Sequence, residues 1–218
     1  PKPDDGRYEV DHLVDLVVGF VRERDLTRVT LVGHSLGGGL SLLAAQRLAE
    51  LGEPRLRRLV LVSSVAYRQR TPPLVRLSEH RGWAEWAARI LGPELIVRTL
   101  LRSMVYDPSS VTEDQVQEYA APLRTPEGRR AAMDVGRHLD PALLETLSPR
   151  FPEIELPALL IWGRHDHVVP LHVGTRLASA LPNAELVVLE RCGHLPPEER
   201  PDAGLAAVRS FLDRTDAY

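Results

Sequence analysis

Apolar residues recur along this chain with two different periods, and the way those periods alternate predicts its architecture. Residues 8–25 carry Val10, Leu13, Val14, Val17 and Val21 on one helical face, the pattern of an amphipathic helix that covers a sheet. Val29, Thr30, Leu31 and Val32 follow as a short run rich in β-branched residues, which reads as a buried strand. From Leu36 the period changes again, with Leu40, Leu43, Ala44, Leu48 and Leu51 at helical spacing. Residues 59–62 form a second apolar strand.

Over residues 67–150 no strand-like run occurs, and helix punctuation takes its place. Thr112 and Gln115 have capping-box spacing, Thr125-Pro126 and Asp140-Pro141 each set a cap before proline, and Gly92-Pro93 closes one helix and opens another. Trp83, Trp86, Leu91, Ile96, Leu100, Met104, Tyr106, Tyr119 and Met133 lie in this block and read as its own packing. Alternation then resumes, with strands at 158–162 and 184–189 and helices at 171–181 and 201–213. The fold class is therefore α/β, a mostly parallel sheet with helices on both faces and an inserted helical block. The expected division is a core at 1–66, the insertion at 67–150 and a second core segment at 151–218.

In such sheets the chemistry gathers beyond the carboxyl ends of the strands. The first of those ends carries Gly33-His34-Ser35-Leu36-Gly37, a G-x-S-x-G turn from strand directly into helix. Glycines flank the serine because the turn leaves no room for side chains there. Ser35 is thereby presented at a helix N-terminus, where developing negative charge is favoured. A Walker-type loop is excluded because no Gly-Lys-Ser/Thr is present, and the glycines do not fit G-x-G-x-x-G.

A serine nucleophile needs a base, and the base needs a carboxylate to fix its tautomer. Asp166 follows the strand at 158–162 and His194 follows the strand at 184–189, which gives the chain order serine, acid, histidine. Asp140 and Asp134 remain alternative acids should the insertion fold back. His165, Asp166 and His167 could suggest a metal cluster, but alternate residues on an extended loop point apart and no further His or Cys lies at ligand spacing, so His165 and His167 read as solvated imidazoles. Cys192 reads as a small buried residue.

With GHSLGG at 33–38, LLIWGRHDHVVP at 159–170 and CGHLPPEERP at 192–201 in this order, the chain resembles the α/β-hydrolase superfamily. The similarity is to the branch with a helical cap inserted after the strand that follows the nucleophile elbow. The resemblance implies that Ser35 is the nucleophile, His194 the general base and then acid, and Asp166 the carboxylate orienting it. It further implies that the backbone N–H of Leu36 is an oxyanion donor and that His34, Val168 and Leu195 contact substrate. No cofactor or metal is called for. The family's sheet begins with strands, and with an oxyanion-donating loop, that have no counterpart ahead of residue 8. The strand at 29–32 would then have an unpaired apolar edge. About 70–80 residues are expected from missing native sequence or from another chain; pairing of 29–32 on both sides would defeat that expectation.

Composition narrows the partners. With 27 basic and 30 acidic side chains, a net charge of −3 and a pI near 6.3, the chain has no electrostatic footprint for nucleic acid. No apolar run approaches the ~18 residues that span a bilayer, so no membrane partner is expected. Cys192 is the single cysteine, which precludes an internal disulfide and suggests a reducing, cytoplasmic setting. The function expected is a serine hydrolase acting on small to medium carboxylic esters through an acyl-enzyme. A C–C bond hydrolase of the meta-cleavage type is the alternative, although those enzymes typically carry Asn before the serine and Trp after the histidine, where this chain has His34 and Leu195. A ligand receptor without turnover is the remaining reading.

Overall fold

A computed structural model describes residues 8–67, 81–138 and 148–216, with side chains except at 81–91 and 135–138. The polar turn ahead of residue 8, the Asp140-Pro141 helix start and the side chains of Trp83, Trp86 and Leu91 lie outside the described residues. Helix α1 (Val10–Glu23) buries Val10, Val14, Val18 and Val21. Val18 thus belongs to the inward stripe, with Leu13 and Val17 half-buried on its flank.

Strand β1 (Val29–His34), helix α2 (Leu36–Glu50) and strand β2 (Leu56–Val62) follow. Leu51 falls just beyond α2 and is 48% exposed, so it is not part of the helix's inward face. After the helical block come β3 (Ala158–Gly163), and its six residues are all buried. The sheet is strictly parallel in the order β1-β2-β3-β4, where β4 is Ala184–Leu189. Among the described residues β1 is an edge strand paired with β2 alone, and Val32 is 67% exposed on it.

Period-two alternation sends neighbouring residues of β2 and β3 to opposite faces. Leu59, Leu61, Leu160 and Trp162 meet Leu42 and Ala45 of α2 and Val173 and Leu177 of helix Leu171–Ala180. Val60, Val62, Leu159 and Ile161 meet Phe211 of the closing helix Pro201–Asp216. Each such fully buried aliphatic side chain contributes about 1.5–3 kcal/mol, and this double-sided burial explains why both central strands read as continuous apolar runs. Buried Arg58 on β2 ties the closing helix down through Leu212 O at 3.1 Å and Asp216 at 2.5 Å.

Between β2 and β3 the described elements are helical. Helix α3 (Arg81–Met104) is interrupted at Gly92, whose φ of 74° and ψ of 153° are non-helical, and Pro93 restarts it. Helix α4 (Glu113–Ala120) opens on the Thr112–Gln115 capping box. Helix α5 (Pro126–His138) opens with Gly128 N–H donating to Thr125 Oγ1 at 3.0 Å. Val97, Leu101, Val116 and Ala120 form an apolar cluster that takes in Leu195. The helix at 171–180 is α6, the turn Pro196–Glu199 is α7, and the closing helix is α8. No described helix is long and apolar enough to cross a membrane.

Candidate active site

Ser35 joins β1 to α2 with φ 52° and ψ −118°, a left-handed conformation that a residue with a Cβ adopts only when its surroundings impose it. Those surroundings are backbone. Ser35 N–H donates to Val62 O at 2.9 Å, and Ser35 O accepts from Val65 N–H at 3.0 Å. A Cβ on Gly33 would lie 2.4 Å from Gly37 O, and one on Gly38 would lie 2.2 Å from Ser64 Oγ. Crowding accounts for these two glycines. At Gly37 an added Cβ meets nothing within 4 Å, so the expectation of a crowded flank on both sides of the serine is corrected: the tight positions are Gly33, Gly38 and Gly39, the last 2.9 Å from Val65 O.

The acid is set by the end of β3. Trp162 Nε1–H donates to Val169 O at 2.8 Å and folds the loop back onto the sheet. Asp166 Oδ1 accepts from Val168 N–H at 2.9 Å and Val169 N–H at 2.8 Å. Its other oxygen, Oδ2, lies 2.9 Å from His194 Nδ1. Asp166 is 4% and His194 3% exposed, so both are removed from water and a carboxylate there depends on these three donors.

His194 Nε2 lies 3.0 Å from Ser35 Oγ. Because the carboxylate can only accept, the ring proton sits on Nδ1 and the Nε2 lone pair faces the serine hydroxyl. The structure therefore brings Ser35, His194 and Asp166 into one hydrogen-bonded chain from three separate strand ends. Leu36 is the first residue of α2, where N–H groups have no intrahelical acceptor.

The other sequence-predicted contacts fall differently. His34 donates Nε2–H to the carbonyl of His194 at 2.7 Å; burial holds its pKa below the usual 6.5, with the hydrogen bond opposing. Val168 packs on the core and gives its N–H to Asp166. Leu195 is buried among Val97, Leu101 and Val116. It also lines a cavity of about 270 Å³ with Leu101, Tyr106, Gln115, Arg191 and Glu198. Neither Ser35 nor His194 borders that cavity. His165 packs its ring 4.7 Å from that of Tyr106.

Two features were not read from the sequence. The carbonyl of Met104, at the end of α3, accepts from His194 N–H at 2.8 Å. Glu199 accepts backbone N–H bonds on both sides of His194. A backbone acceptor leaves no mark in a sequence, and a glutamate in a Pro-Pro-Glu-Glu turn looks like an ordinary first-turn acid.

The comparisons with known proteins bear on the fold and the family. The family model described as the alpha/beta hydrolase family matches residues 2–208, and the chain belongs to that family. It is 34% identical over 210 residues to the uncharacterized hydrolase YugF of Bacillus subtilis, covering 94% of this chain and 72% of that protein. It is 30% identical over 227 residues to a 2-hydroxymuconate semialdehyde hydrolase of Pseudomonas putida, covering 99% and 73%. Among solved structures, an alpha/beta hydrolase fold protein of Burkholderia ambifaria has a TM-score of 0.79 at 26% identity, covering 96% of this chain and 74% of that one. The 2-hydroxy-6-oxo-6-phenylhexa-2,4-dienoate hydrolase of a Rhodococcus species has a TM-score of 0.77 at 26% identity, covering 97% and 74%.

Proposed function

We propose that this chain carries the active site of a serine-dependent hydrolase that cleaves small to medium carboxylic esters through an acyl-enzyme. The observation that carries the reading is the continuous contact from Asp166 Oδ2 through His194 to Ser35 Oγ, with separations of 2.9 and 3.0 Å. As Ser35 attacks the acyl carbon, its proton passes to His194 Nε2, and Asp166 stabilises the imidazolium without taking the proton. The carbonyl oxygen becomes an oxyanion for which Leu36 N–H is a donor, a contribution of about 3 kcal/mol in comparable sites. His194 then protonates the leaving alcohol, and a water deprotonated by the same nitrogen releases the acid and restores Ser35. The described helices between β2 and β3 act as a cap over this rim.

A second reading has support of its own. Relatives at about a third identity or less include hydrolases named for 2-hydroxymuconate semialdehyde and for dienoate substrates, and the same triad can serve hydrolysis of a C–C bond. His34 and Leu195 weigh against it, because they stand where enzymes of the meta-cleavage type typically carry Asn before the serine and Trp after the histidine. A fluorophosphonate probe that labels the wild type and not Ser35→Ala tests the shared mechanism; equal labelling of both sinks it. Turnover of p-nitrophenyl acyl esters with none of a 2-hydroxy-6-oxodienoate supports the ester reading, and the reverse selectivity replaces it with C–C hydrolysis.

A further inference from the structure

We propose that Glu199 is a positioning residue for His194, and that through it the end of α3 is tied to the placement of the imidazole. The proposal rests on the triad reading above. Glu199 Oε1 accepts from Gly193 N–H at 2.9 Å and Leu195 N–H at 3.1 Å. Its Oε2 accepts from Gly193 N–H at 3.0 Å and from Tyr106 N–H at 2.7 Å. One carboxylate thus holds the peptide groups on either side of His194 and reaches the residue that follows α3 by two. His194 itself donates its N–H to Met104 O at 2.8 Å. The N–H groups of Gly193, His194 and Leu195 are therefore all taken by acceptors outside this tripeptide.

Close approach enforces the arrangement. A Cβ on Gly193 would stand 2.3 Å from Met104 O and 2.9 Å from Tyr106 N, so the histidine loop and the end of α3 are packed backbone to backbone. Bonds from N–H groups to an ionised carboxylate are shorter and stronger than neutral ones. Truncating Glu199 leaves three donors without their acceptor and frees the loop to rotate. An imidazole that must meet Asp166 on one side and Ser35 on the other loses about 10²-fold in rate for a misplacement near 1 Å. Glu198, the adjacent carboxylate, points elsewhere: it accepts from Gln115 Nε2 at 2.7 Å and from the Tyr119 hydroxyl, both on α4. It docks that helix without touching the backbone around His194, and Glu198→Gln serves as the control.

The test compares Glu199→Ala, Glu199→Gln and Glu198→Gln in the whole protein. One readout is the downfield proton resonance of His194 Nδ1–H bound to Asp166, which needs no substrate. The others are kcat and KM on p-nitrophenyl acetate and the thermal midpoint. Glu199→Ala is expected to broaden or erase the resonance and lower kcat about 10–100-fold with KM within about twofold. Glu199→Gln, which keeps one acceptor oxygen, falls between, and it carries the test if the alanine variant does not fold. A folded Glu199 variant with resonance and kcat unchanged overturns the proposal. So does a lowered midpoint with the resonance intact, the mark of a purely structural role. Turnover retained in Ser35→Ala would sink the hydrolase reading while leaving the resonance comparison standing.

Discussion

His34 donates Nε2–H to the carbonyl oxygen of His194 at 2.7 Å and lays its ring 4.9 Å from the triad imidazole at 46°. The residue before Ser35 thereby grips the backbone of the residue whose Nε2 faces the serine hydroxyl. Burial keeps the pKa of His34 below its ordinary 6.5, so it is neutral at pH 7. Below pH 6.5 the unfolded chain takes up a proton at this position before the folded one does. Stability therefore rises with pH through that window and is lost as pH falls through 6.5 toward the lowered value. The wild-type thermal midpoint is expected to drop between pH 7 and pH 5 more than that of His34→Asn. Equal drops in the two proteins would show that His34 does not contribute to acid sensitivity.

Asp166→Asn is expected to lower kcat about 10⁴-fold, the scale of the corresponding change in a serine triad, with little change in fold. The reason lies in its two backbone donors. Val168 and Val169 N–H groups can be met only by the amide oxygen, which turns the NH₂ toward His194 Nδ1. The imidazole must then accept at Nδ1 and carry its proton on Nε2, facing Ser35 with a donor where an acceptor is required. Steady-state kinetics on an activated ester check this. An Asn variant within about tenfold of wild type would move the acid role to another residue.

How far the sequence could be read follows from where each interaction is encoded. The apolar run at 158–162 and its helical neighbours were legible because both faces of β3 are covered and all six of its residues are buried. Ser35, Asp166 and His194 were legible because parallel topology delivers strand ends to one rim. Val18 was missed on α1 because the buried stripe is read relative to α2, whose packing position has no sequence sign. The grip on His194 from Met104 O and Glu199 was missed for a similar reason: one partner is a carbonyl every residue has, and the other is an acid in a turn of four residues.

Two glycine substitutions separate crowding from turn geometry. In Gly163→Ala the new Cβ would sit 1.9 Å from Gly193 O and 2.6 Å from Cys192 O. These are backbone atoms of the histidine loop that no side-chain rotation can clear. Overpacking of this kind costs about 1–3 kcal/mol, and the strain falls on the residue next to His194. A lower urea midpoint together with reduced kcat is the expected result. Gly37→Ala, with nothing within 4 Å of its Cβ and a place in the first turn of α2, should hold the urea midpoint or raise it, for a gain in stability of up to roughly 1 kcal/mol. If the two variants lose equal stability, the close approach between the end of β3 and the histidine loop is not what makes glycine necessary.

Cys192 offers a way to ask whether that loop opens. Its side chain is fully buried, and burial, with Glu199 adding to it, pushes the thiol up to about 12. At pH 8 the thiolate is then about one part in 10⁴, and the sulfur has no path to reagent while the loop is closed. Under the proposed function, the native protein is expected to resist Ellman's reagent at pH 8, Cys192 to react in denaturing urea, and any turnover of p-nitrophenyl acetate to survive iodoacetamide. Glu199→Ala removes the neighbouring carboxylate and one anchor of the loop together, so its Cys192 should react faster without global unfolding. Equal protection in wild type and Glu199→Ala would mean that Met104 and His34 alone keep the loop shut. Rapid modification of the wild type would mean that the loop opens readily even when every one of these contacts can form.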